Sequence, residues 1–64
     1  MNTLNLYERK YGAHLCVVRS SILPTENSLI HIKGKVYKVG HIDFTVETVD
    51  GEAVLEAAVL LDQL

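Results

Sequence analysis

"VYKVGHIDFTVETVDGEAVLEAAV", Val36 to Val59, is the stretch that decides what this chain can be. Its apolar residues alternate, but the parity breaks once: Tyr37 and Val39 are odd, whereas Ile42, Phe44 and Val46 are even. Successive strand side chains point to opposite faces, so a strand changes parity only through a bulge or sharp bend. Gly40 stands where the parity changes. The segment therefore predicts a strand over residues 36–48, bent at Gly40. Asp50-Gly51 then reads as a two-residue hairpin loop, because both central positions of such a turn need positive φ. That loop sets Val49 opposite Glu52, Val46 opposite Leu55, Phe44 opposite Ala57 and Ile42 opposite Val59, which gathers one apolar, inward face. The other face pairs Asp43 with Ala58, Thr45 with Glu56 and Glu47 with Val54, and tolerates solvent.

A C-terminal helix is the competing reading. Ala53, Val54, Ala57, Ala58, Leu61 and Leu64 also form a stripe at helical spacing, with Asp50 as a possible N-cap. Three features favour the strand: a helix strands Leu55 and Val59 on its polar face, it places Asp62 where the helix dipole favours a cation, and the Asp50-Gly51 hairpin explains both flanks together.

Upstream, "AHLCVVRSSIL" after Gly12 is rich in β-favouring residues and "SLIHI" ends at Gly34. Turn signals fall at Tyr11–Ala13, Leu23–Ser28, Gly34 and Val49–Glu52. Strands are thus expected over residues 3–7, 12–22, 28–32, 36–48 and 52–61. The expected fold is all-β, a small five-stranded, strongly bent barrel that resembles the SH3-like type in shape; the alternative is α+β with a helix at about 52–64. No linker, repeat or low-complexity tract divides the chain, so residues 1–64 read as a single small domain.

At 64 residues, with 48% apolar and 22% charged content, the composition is that of an ordinary globular domain. A domain this small buries only about 60% of the surface its unfolded chain exposes, and usually needs a staple. Cys16 is the single cysteine, which removes an internal disulfide and leaves self-association as the expected aid. No signal-like or membrane-spanning apolar run is present, so a reducing cytoplasm is the expected compartment and no membrane association is expected.

The charge is unevenly spread. Residues 1–42 carry Arg9, Lys10, Arg19, Lys33, Lys35 and Lys38 against Glu8 and Glu26, a net +4. Residues 43–64 carry Asp43, Glu47, Asp50, Glu52, Glu56 and Asp62 and no base, a net −6. Opposite halves of this kind pair within one fold or between subunits.

No constellation of catalytic residues emerges. His14 and Cys16, two apart, are expected to share a face, but with His31 and His41 they lack the paired close spacing of a structural zinc site, so no metal and no cofactor is implied. Cys16 sits in an apolar run that disfavours a reactive thiolate. Gly34-Lys35 lacks the remaining glycine and Ser/Thr of a phosphate loop. A barrel of this size fills its own interior, and no enzyme activity is expected.

What remains is binding. Lys33, Lys35 and Lys38 cluster about one turn with Tyr37 between them, and His31 and His41 are expected beside Tyr37, forming a candidate contact patch. Cations interleaved with aromatics suit phosphates and bases, yet the acidic final third and a pI near 5.8 oppose the positive field of a nucleic-acid binder. The expectation is a protein–protein adaptor, inhibitor or assembly subunit that works as a homo-oligomer. A small anionic ligand such as a nucleotide, or single-stranded nucleic acid, is the alternative partner.

Overall fold

A computed structural model describes residues 2–64. Five strands follow in chain order: β1 (Asn2–Glu8), β2 (Ala13–Ser20), β3 (Leu29–Ile32), β4 (Lys35–Val49) and β5 (Glu52–Gln63). They form one sheet in the order β2-β1-β5-β4-β3, curled into a half-barrel, with no helix among the described residues. None therefore is long and apolar enough to cross a membrane.

The strands form because each is dense in Val, Ile, Leu, Thr and Tyr, and the hairpins form because the turn residues accept positive φ. Asp50 and Gly51 have φ of 51° and 80°, and Lys33 and Gly34 have φ of 49° and 79°. Asp50 is thus a turn residue and not a helix cap. The expected register holds throughout: Val49 faces Glu52, Val46 faces Leu55, Phe44 faces Ala57 and Ile42 faces Val59. The ladder shifts between Val39 and His41, which leaves Gly40 as the inserted residue that the parity change required.

β5 is the centre of the sheet. It runs antiparallel to β4 and parallel to β1, where Leu4 faces Ala57 and Leu6 faces Val59. The backbone N–H of Arg9 extends this ladder by donating to Leu61 O at 2.9 Å. Strand alternation leads the apolar residues of both ladders to the concave side, where Leu4, Leu6, Tyr37, Val39, Ala57, Val59 and Leu61 form the core. Leu15, Cys16, Leu23, Ile30, Ile32 and Ile42 pack around it. A helix over 52–64 would have had to abandon these two ladders and the cores they align.

The loop between β2 and β3 crosses the open side. Asn27, at φ 70°, donates its N–H to Val39 O, and Val39 returns its N–H to Ser28 O. β2 and β3 do not pair with each other, so each retains an open edge.

Candidate binding surfaces

The two-residue Lys33-Gly34 turn places Ile32 opposite Lys35 and Ile30 opposite Tyr37. Beside this turn lies a cavity of about 240 Å³ with Leu15, Cys16, Ile32, Lys33, Lys35 and Tyr37 in its wall. Its floor is apolar and its mouth carries two lysines. Tyr37 is only 3% exposed, so it belongs to the core and offers an edge to the cavity rather than an outer surface.

The other candidates lie elsewhere. Lys38 alternates to the convex side, where its register partner is Asp62. His31 faces Val36, and His41 faces Leu60 while its Nε2 donates to Asp43 Oδ1 at 2.8 Å. The structure therefore brings Lys33, Lys35 and Tyr37 together and leaves Lys38, His31 and His41 on the opposite face. Neither histidine sits beside Tyr37. The physical reason is strand parity: Lys35 and Tyr37 are odd, Lys38 is even, and His41 follows the Gly40 insertion.

The expected sharing of a face by His14 and Cys16 is also corrected. The β1–β2 ladder slips between Leu6 and Tyr7, so that Leu6 faces Cys16 and Tyr7 faces His14, with Leu15 inserted. Cys16 packs on the core, while the His14 ring meets Tyr7 edge-on on the convex side, with centroids 5.1 Å apart. Among the described residues, no group of three His, Cys, Asp or Glu side chains is placed to hold a metal ion.

Some cations are already engaged. Arg9 binds Asp62 through two hydrogen bonds, Nε to Oδ1 at 3.1 Å and Nη2 to Oδ2 at 2.5 Å, which ties the basic half to the acidic half within one chain. Lys10 Nζ lies 5.2 Å from the Tyr11 ring centroid, a weak attraction at an exposed site.

The surface that sequence reasoning placed wrongly is the far half of the β4–β5 hairpin. β1 stops pairing with β5 at Thr3 opposite Glu56, and β3 stops pairing with β4 at Leu29 opposite Lys38. Residues 46–55 consequently form a two-stranded arm that extends past β1 by four residues of β5, about 14 Å. Its expected inward face has nothing to face. On that side Phe44, at the base of the arm, is 52% exposed and Val46 66%, while Val49, which strand parity puts on the other side, is 51% exposed. The signal was available in the lengths: β4 has 15 residues and β5 has 12, against 7, 8 and 4 for the others.

The outer edge of β4 beyond Val39 is unpaired. The two-residue turn makes Val49 and Glu52 a hydrogen-bonded pair, so odd residues 41–49 direct their N–H and C=O groups to β5. Ile42, Phe44, Val46 and Thr48 direct theirs outward. No protein-family model matches the chain, and neither a curated protein nor a solved structure matches it significantly.

Proposed function

We propose that this chain is a non-enzymatic binding module, an adaptor, inhibitor or assembly subunit that works as a homo-oligomer and whose ligand is a protein. The observation that carries this is the β4–β5 arm and its base, where Phe44 and Val46 share one face and are half exposed or more beside an unpaired strand edge. An isolated two-stranded ribbon is marginally stable in water, and an open edge with an apolar face recruits another strand. The acidic residues Asp43 and Glu47 lie on the face away from Phe44 and Val46, and that face favours a protein ligand with basic residues. A cytoplasmic site of action fits the one free thiol, Cys16.

Affinity capture tests the protein-ligand reading. Tagged wild type and Val46→Asp are compared in extracts of the producing cell, with a protein recovered by wild type and lost from the variant as the expected result. Identical recoveries from both would remove the arm from the account.

The cavity beneath Lys33 and Lys35 favours a second reading, a small anionic ligand with an apolar part. Lys33 occupies a positive-φ position that Asn or Gly fills at lower cost, which is the pattern of a residue retained for its side chain. Single-stranded nucleic acid has less support, because only two of the three clustered lysines share a face.

A further inference from the structure

We infer that the free edge of β4, from Gly40 to Val49, is a self-recognition surface on which a second copy of this chain pairs antiparallel about a two-fold axis at Phe44. This deepens the homo-oligomer part of the proposed function and rests on it. The edge has few of the usual protections: over ten residues it has no proline, no lysine and no covering segment, its single bulge, Gly40, lies at its inner end, and its charges are Asp43 and Glu47 alone. β2, the other long open edge, is interrupted by the Leu15 bulge and carries Arg19.

Charge selects the register. Antiparallel pairing that keeps both apolar faces on one side allows few centres. Centring on Asp43 sets that carboxylate against its own copy, and centring on Thr45 sets Asp43 against Glu47 twice. Centring on Val46 sets Ile42 against Asp50 in the turn and Phe44 against Thr48. Centring on Phe44 avoids all of these: His41 faces Glu47 twice, Asp43 faces Thr45 twice, Ile42 faces Val46 twice and Phe44 faces itself. Directly opposed like charges destabilise a ladder and apolar pairs stabilise it, so this register is the one that opposes no two carboxylates and keeps Ile42, Phe44 and Val46 together.

The backbone agrees with that choice. Ile42, Phe44 and Val46 are the residues whose N–H and C=O groups point outward, and about Phe44 they meet one another as hydrogen-bonded pairs. Pairing about Phe44 joins the two sheets where β1 still backs β5 and adds strands beside each two-stranded arm beyond Thr45, which gives a marginal ribbon the further strands and shared apolar face that it needs for stability. The interface is isologous and closes at two copies along this edge.

The test is cross-linking by paired single-cysteine variants in a Cys16→Ala background. Asp43→Cys and Thr45→Cys are made separately, unfolded, refolded together and oxidised mildly. The expected result is a covalent dimer from the mixture and none from either variant alone, since Asp43 and Thr45 face each other across a non-hydrogen-bonded pair of short Cα separation. A covalent dimer from Thr45→Cys alone or Asp43→Cys alone overturns the register. No cross-link while native mass spectrometry finds wild type multimeric overturns the edge and leaves the homo-oligomer intact. No cross-link with a monomeric wild type overturns both.

Two further variants guard against a folding artefact. Phe44→Pro removes an outward N–H without touching the β4–β5 ladder and is expected to give a folded monomer. His41→Glu sets like charges opposite Glu47 twice and is expected to weaken dimerisation by about tenfold, with Glu47→Lys in the same chain restoring it. Dimerisation indifferent to both changes contradicts the proposal.

Discussion

Arg9 and Asp62 meet directly over Gly40. A Cβ built on Gly40 would lie 2.8 Å from Arg9 Nη2 and 2.8 Å from Asp62 Oδ2, so any side chain at this bulge would have to displace the ion pair that rests on it. The parity change in the sequence located this glycine, and the packing explains it. The clamp joins the end of β1 to the end of β5 across the bulge that bends β4.

Gly40→Ala is expected to displace the ion pair and destabilise the fold by about 0.5–1 kcal/mol, the range of a well-formed but partly exposed pair. Arg9→Ala is then expected to cost little more in the alanine background than nothing. Urea unfolding of both single variants and the double variant checks this, and fully additive losses would show that the pair is not what keeps residue 40 small.

Lys33→Asn is expected to stabilise the protein by about 0.5–1 kcal/mol, since Asn-Gly suits a turn with positive φ at both centres better than Lys-Gly. Thermal unfolding measures it. A loss of stability would mean that the lysine side chain contributes to the fold itself.

Lys33→Glu with Lys35→Glu is expected to leave stability within about 0.5 kcal/mol, because both side chains are exposed. The same variant is expected to lose fluorescence enhancement of anilinonaphthalene sulfonate, an apolar anion that suits the cavity against Leu15, Ile32 and Tyr37. Unchanged dye binding would remove the lysines from that site.

Leu61→Ala is expected to cost about 2–5 kcal/mol, since Leu61 is fully buried between Glu8 and Val39 at the centre of the sheet. Val46→Ala on the arm is expected to cost under about 0.5 kcal/mol in the dilute monomer. For a domain of 64 residues the first loss approaches the whole folding free energy. Circular dichroism melts at low concentration separate the two.

Much of the fold was legible because short-range rules governed it. Asp50-Gly51 dictated a turn, the turn dictated the β4–β5 register, and the parity change dictated the Gly40 bulge. The parallel pairing of β1 with β5 was not legible, since the ladder from Thr3–Glu56 to Glu8–Leu61 joins chain ends that no local pattern links. The Leu15 bulge was hidden as well, because "HLCVV" is apolar on both parities and carries no glycine to mark a slip. For the candidate site, sequence proximity gathered Lys33, Lys35, Tyr37 and Lys38, and strand alternation then divided them between two faces. The arm was hidden in plain composition: apolar residues at Phe44 and Val46 look like core until the lengths of the covering strands are compared.

The most direct measurement is residue-resolved amide hydrogen exchange on the wild-type protein over a wide range of concentrations. Odd residues such as Asp43 and Thr45 donate to β5 in any state, whereas Ile42, Phe44 and Val46 are protected only when another strand covers the edge. These three even-numbered amides are expected to exchange as slowly as their odd neighbours at high concentration and to become fast on dilution. Fast exchange at all three, at every concentration and with the mass of a single chain, would contradict pairing along this edge.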